Sequence, residues 1–224
     1  LVIGYGEIGK ALTQVLKCDF RDKTDDTSKE HYDVIHICYP HFNGFNKSVK
    51  SYIKRYTPDY VVVHSTVPVG TCGKLGVLHS PVTGVHPNLA KSIKTFTKFV
   101  GGDNSEVIAD EFKKYKIPSV PVASASDTEA GKLYNLLAYG INILIEKEIW
   151  DFCHKNNLNY DIVYSQFVKM YNQGYEKMKM PHVKIYELKH FEGGIGGHCV
   201  MENSPLLNTE LSRFLDDYNV KFVK

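Results

Sequence analysis

The sequence predicts an α/β protein: a doubly wound parallel sheet, then a long central helix, then a short C-terminal helical and loop segment. Three observations carry this. The apolar run Leu1-Val2-Ile3 leads into Gly4-Tyr5-Gly6-Glu7-Ile8-Gly9, and residues 10–16 then read as a helix. That is strand, G-x-G-x-x-G turn and helix in the order a dinucleotide-binding fold of the Rossmann kind requires. Short apolar runs and helical patterns go on alternating up to residue 122, which is the pattern of a parallel sheet with helices on both faces. A single helical stretch then runs from about residue 128 to 154, long for a globular protein.

In the first turn Gly4 permits the tight bend, Gly6 lets a pyrophosphate approach the backbone, and Gly9 lets the helix pack on the strand. The free N–H groups at the helix start, around Glu7 and Ile8, face the phosphates with help from the helix dipole. An acid at the end of the second strand, about twenty residues after the glycines, would bind the adenosine ribose. Asp22 is the first choice and Asp19 the second, ahead of the polar loop Lys23-Thr24-Asp25-Asp26. NAD is the expected cofactor, and Arg21 leaves NADP open.

Residues 33–40 form a strand that ends at Tyr39-Pro40, and a helix covers 46–56. The strand at 60–66 ends in Ser65-Thr66, and 67–71 is a turn. Ligands gather at the carboxyl ends of such strands, so Cys38, Tyr39, Pro40, Ser65 and Thr66 should border the cofactor crevice. Residues 80–88 read as irregular, 96–100 as a strand, 106–115 as a helix and 119–122 as a strand.

Ser126-Asp127-Thr128-Glu129 supplies an N-cap and an acidic first turn to the long helix. Between Leu136 and Ile145 that helix carries no charge on any face. A helix apolar all round is buried on all sides, which implies a homodimer packed on this segment. Residues 156–159 break it, a second helix covers 161–178, and Pro181 stops that one. Gly193-Gly194-Ile195-Gly196-Gly197-His198-Cys199 is a loop whose backbone, at Gly196, Gly197 and His198, can approach a substrate closely. The expected organisation is a cofactor domain over 1–123, a helical dimerisation region over 124–180 and a C-terminal segment over 181–224.

A formal net charge of +2 over 224 residues gives no strong field, which argues against nucleic acid or an anionic membrane as partner. No uncharged apolar run reaches the roughly 18 residues of a membrane span. The 5 cysteines are odd in number and lack C-x-x-C spacing, which favours a reducing compartment and hence the cytoplasm. His79, His86, His190 and His198 show no helical ligand spacing with an acid nearby, so no metal is expected.

The ordered series GYGEIG, DVIHICYP, HSTVPVGT, FVGG, EAGKLYNLLAYGINILIEKE and GGIGGHC resembles the UDP-glucose/GDP-mannose/UDP-N-acetylmannosamine dehydrogenase family over nearly the whole chain. The resemblance implies that Cys199 is the nucleophile that captures an aldehyde as a thiohemiacetal. It further implies that Lys132 stabilises the oxyanion and that Thr66 lies beside the nicotinamide. Members carry a nucleotide-sugar domain after the cysteine loop, for which few residues follow here. Three auxiliary groups also differ: Val82 stands where the family has a glutamate, Leu136 where it has an asparagine, and Asn203 where it has an aspartate. An amide cannot serve as the general base that an aspartate can.

The spacing Lys132-Leu133-Tyr134-Asn135 also matches the K-x-x-N of β-hydroxyacid dehydrogenases, where residues three apart on a helix address one substrate carbonyl. One function leads and two are alternatives to it. The first is an NAD-dependent oxidoreductase acting on a nucleotide sugar through Cys199, with Asn203 near the substrate. Another is a single-hydride dehydrogenase using Lys132 and Asn135. The third is a protein that binds NAD or a nucleotide sugar without turnover.

Overall fold

In β1 (Val2–Ile3) the two side chains part, Val2 into one buried cluster and Ile3 into another, and this alternation builds the first part of the molecule. Six further strands follow: β2 (Phe20–Arg21), β3 (Val34–Ile37), β4 (Tyr60–Val63), β5 (Leu78–His79), β6 (Lys98–Gly101) and β7 (Ser119–Val122). They form one sheet in the order β2-β1-β3-β4-β5-β6-β7. On one face Val2, Val62, Leu78 and Val100 pack with Leu12 and Val15 of α1 (Glu7–Leu16), and with residues of α4 (Leu89–Thr95) and α5 (Ser105–Lys114). On the other face Ile3, Ile35, Ile37, Val61 and Val63 meet Phe45, Val49 and Tyr56 of α2 (Phe45–Tyr56) and Cys72 of α3 (Thr71–Leu75). Because both faces are covered, the central strands are largely apolar, with His36 and His79 as buried polar members.

This computed structural model describes residues 1–23, 29–197 and 199–223. Thr24, Asp25, Asp26 and the substrate-contact candidate His198 lie outside the described residues. The chain divides into two compact units, Leu1–Leu133 and Tyr134–Lys224.

The fold is the expected α/β architecture, with three corrections. The sheet is mixed, because β6 pairs antiparallel with β5 through His79 and Gly101, whereas all other pairs are parallel. An apolar run marks a strand but carries no information on its direction, so pattern reading could not find this. The elements β5, α3 and α4 were not expected: they span two, five and seven residues and are too short for a periodic signal. The long helix α6 (Ala125–Lys155) begins at Ala125, so Ser126 sits in its first turn and does not cap it. There Thr128 Oγ1 donates to the Ala125 carbonyl at 2.8 Å.

The second unit contains the later turns of α6. Within it Leu137 and Leu144 pack with Ile195, Val200 of α8 (Cys199–Asn203) and Leu215 of α9 (Glu210–Asn219). Tyr139 and Ile145, on the same uncharged stretch, are 42% and 51% exposed in the single chain. Asn157, at φ 52, follows the end of α6. A π-helical turn, Asp161–Gln166, then leads into α7 (Phe167–Lys177). The extended segment after Pro181–Val183 is tied down by side chains. Asn172 exchanges two hydrogen bonds with the Ile185 backbone, the Tyr164 hydroxyl takes the Leu188 N–H, and Lys147 donates to the Phe191 carbonyl.

One buried carboxylate holds α3 in place. Glu129 of α6 accepts the Gly70 N–H at 2.6 Å and the Cys72 N–H at 2.7 Å. Glu129→Ala strands both donors, and a charge-assisted pair of this kind is expected to cost about 3 kcal/mol of unfolding free energy. Urea denaturation of the variant against wild type measures it.

Candidate active site

The turn between β1 and α1 shows why its glycines are required. Gly4 has φ 94, and a Cβ there would lie 3.0 Å from the Tyr39 nitrogen. A Cβ on Gly9 would lie 1.9 Å from the Gly4 carbonyl oxygen, so any side chain would push α1 off β1. Gly6 is different, with nothing within 4 Å of its Cβ position. It stands at the head of α1, and among the described residues no side chain caps that end. The first N–H groups of the helix therefore keep no side-chain acceptor and are available to an anion. These are the features a dinucleotide pyrophosphate needs, and the residues present fit that group.

Around this turn stand the carboxyl ends of the neighbouring strands. Tyr39 follows β3; burial pushes its phenol up to about 12, and its hydroxyl donates to Ser48 Oγ at 3.1 Å. The buried Ser65 hydroxyl donates to the Tyr39 carbonyl at 2.5 Å and so ties the end of β4 to that of β3. Thr66 next to it is half-buried, and Pro40 is exposed. Asp22 directly follows β2 and is exposed. Asp19 is engaged elsewhere, with Lys29 at 2.6 Å and Tyr32 at 3.2 Å. The Arg21 guanidinium donates to the Tyr56 hydroxyl at 2.7 Å and lies over the Tyr52 ring, which draws it onto α2.

The start of α6 closes the site within the first unit. Residues 128, 129 and 132 share a helix face. Thr128 Oγ1 is 2.8 Å from His79 Nδ1, Glu129 holds α3, and Lys132 Nζ donates to the Val82 carbonyl at 2.9 Å. Val82 is the position where the resembling family has a glutamate, so a backbone carbonyl takes the lysine here.

Sequence reading missed Thr128, Glu129, His79 and His86. The first two were legible as neighbours of Lys132 on one helix face; the histidines carried no local signal. His86 Nδ1 pairs with the Glu7 carboxylate at 2.6 Å, beside the head of α1. The remaining candidates fall in the second unit. Asn135 is exposed, Gly196 and Gly197 are exposed with φ 78 at Gly197, and Cys199 is an exposed thiol opening α8. Asn203 Nδ2 donates to the Cys199 carbonyl at 2.8 Å. All five cysteines are free thiols. Among the described residues, an exposed group of His31, Asp33 and Asp59 brings potential ligand atoms within 4.8 Å of one another, at the entry ends of β3 and β4. No helix among the described residues is long and apolar enough to cross a membrane.

No protein-family model and no curated protein matches the sequence. Solved structures do match in fold. A UDP-D-ManNAc dehydrogenase from Pyrococcus horikoshii superposes with a TM-score of 0.72 at 19% identity, covering 96% of this chain and 57% of that one. A 3-hydroxyisobutyrate dehydrogenase from Mycobacterium tuberculosis, solved with L-serine, gives 0.71 at 14% identity, covering 99% of this chain and 92% of that one. Psf3, solved with NADP+ and 2-OPP, gives 0.61 at 13% identity and covers 98% and 92%. At these identities the likeness is one of fold. The chain spans little more than half the length of the Pyrococcus enzyme.

Two outcomes are expected. Gly9→Ala should unfold the first unit or cost it about 3 kcal/mol, by overpacking against backbone. Gly6→Ala should leave thermal stability nearly unchanged while weakening NAD(H) binding at least tenfold, read by fluorescence titration. Burial pushes His36 down to about 3 and His79 down to about 4, from an ordinary 6.5. The unfolded chain therefore binds more protons as pH falls below about 6.5, and stability should drop progressively from there toward pH 4. Urea midpoints at pH 7.5 and 4.5 check the sign.

Proposed function

We propose that this chain is a nicotinamide-dependent dehydrogenase that oxidises a small polar alcohol to a carbonyl, and reverses that step, by single hydride transfer. The observation that carries this is the uncapped head of α1 at Gly6, open to a ligand, beneath glycines that the packing requires. The chemistry a bound nicotinamide dinucleotide supplies is hydride exchange with a substrate carbon. Gly4, Gly6 and Gly9, with the Glu7 and Ile8 N–H groups, bind its pyrophosphate. Asp22 takes the adenosine ribose, and Tyr39, Pro40, Ser65 and Thr66 border the nicotinamide side. Arg21, drawn onto Tyr56 and Tyr52, supports NAD over NADP.

Lys132 moves the proton. In the reducing direction its Nζ gives a proton to the substrate oxygen as that carbon receives hydride; in the oxidising direction the neutral amine takes it back. Asn135, three residues on, binds the substrate. Near-complete coverage of the 3-hydroxyisobutyrate dehydrogenase supports a hydroxyacid-type alcohol.

Oxidation of a nucleotide sugar through a Cys199 thiohemiacetal is supported by the exposed thiol at the end of the glycine loop, with Gly196, Gly197, His198 and Asn203 as its surroundings. A homodimer through the helix between Leu136 and Ile145 is supported by the exposure of Tyr139 and Ile145.

The test is NADH formed per substrate, over a panel of β-hydroxyacids and nucleotide sugars, for wild type, Lys132→Met and Cys199→Ser. We expect one NADH per substrate, a loss of kcat of roughly 10²–10⁴-fold in Lys132→Met, and an unaffected Cys199→Ser. Two NADH per substrate, with Cys199→Ser stalled, would transfer the assignment to the thiol mechanism. Cofactor binding without any NADH formed would leave a binding protein.

A further inference from the structure

Lys98 opens β6 and is 3% exposed, yet among the described residues no carboxylate accompanies it. The antiparallel pairing of His79 with Gly101 explains where it lies, since continuing that register sets Lys98 opposite Val82. Its Nζ donates to the Ser80 carbonyl at 2.8 Å and the Pro81 carbonyl at 3.0 Å, and stands 3.3 Å from His64 Nδ1. The next carbonyl along, that of Val82, is the one that accepts Lys132 Nζ. Three consecutive carbonyls after β5 are thus taken by two lysines, one from β6 and one from α6.

The protons in this cluster can be assigned from donors and acceptors alone. His64 Nδ1 lies 2.7 Å from the Ser80 carbonyl oxygen, which only accepts, so Nδ1 carries the hydrogen. His64 Nε2 then accepts from His36 Nδ1 at 3.0 Å. A protonated Lys98 would turn its third N–H toward the His64 N–H, whereas a neutral amine turns its lone pair there. Its two N–H groups still serve the two carbonyls. Burial pushes the Lys98 amine down to about 7, which brings the uncharged form within reach near neutral pH. Among the described residues, the other titratable groups facing it are His36 on β3, Cys38 just after that strand, His79 on β5 and Lys132 on α6, and none supplies a negative charge at neutral pH.

We infer that Lys98 is a positioning residue for Lys132: by gripping the Ser80 and Pro81 carbonyls from inside the sheet, it fixes the Val82 carbonyl on which Lys132 docks. This rests on the dehydrogenase reading only for the task given to Lys132.

The test is the rate at which Lys132 is acylated by a small anhydride, followed by peptide mass spectrometry from pH 6 to 11 on the full chain, with Lys113 and Lys114 as surface standards. The limiting rate at high pH reports how freely the amine leaves its dock, separately from any change in its titration. In Lys98→Met that limiting rate should rise threefold or more. In Ile108→Val, an unrelated loss of core packing, it should stay at the wild-type value. An unchanged limiting rate in a folded Lys98→Met, or an equal rise in Ile108→Val, overturns the inference. If Lys98→Met does not fold, Lys98→Gln is measured in the same way. On an alcohol the wild type oxidises, Lys98→Met should lower kcat tenfold or more and leave KM for NAD within twofold. If the wild type oxidises no alcohol, the dehydrogenase assignment falls, and the labelling still decides the role of Lys98.

Discussion

Helix α1 can lie on β1 only because Gly9 has no side chain. A single methyl there would sit 1.9 Å from the Gly4 carbonyl oxygen, inside any possible contact. Much of the candidate site depends on that approach. It sets the head of α1 above the carboxyl end of β1, leaves Gly6 facing outward, and brings the Tyr39 backbone against Gly4. The uncapped N–H groups are a local cost that a bound anion removes. A stable protein with no anion to bind would be expected to cap them with a serine or aspartate at position 6.

The second organising contact is the first two turns of α6. Thr128 meets His79, Glu129 caps α3, and Lys132 reaches the Val82 carbonyl, so one helix face fastens the ends of β4 and β5. The catalytic candidate is therefore mounted on the same face that holds the scaffold. Substitutions at 128 or 129 would be felt at Lys132 through geometry, because a side chain on a rigid helix moves with it.

Most of the first unit was legible from local signals. The G-x-G-x-x-G turn, the buried strands at 34–37 and 60–63, and the helices 45–56 and 105–114 all announce themselves by period or by punctuation. So does α6, by its length. The elements β5, α3 and α4 did not, because each is shorter than the window over which a period shows. Ser126 was read as a cap because its residue type suits that place, yet the helix already begins at Ala125, and helix starts shift by a residue or two. Lys98 falls inside the strand expected at 96–100, and its residue type is one that is mostly exposed. Nothing near it in sequence reveals that it is buried.

Local chemistry alone thus determined the α/β class, the dinucleotide turn and the positions of Lys132 and Cys199, because propensity, periodicity and glycine sterics act over a few residues. Only the tertiary structure decided that β6 runs against β5, since strand direction depends on how a connection returns and leaves no mark in the apolar pattern. That reversal is what carries Lys98 to the carbonyls beside Val82. A lysine, two histidines and a turn far apart in the chain become one buried hydrogen-bonded cluster through long-range strand pairing, and no local rule encodes that.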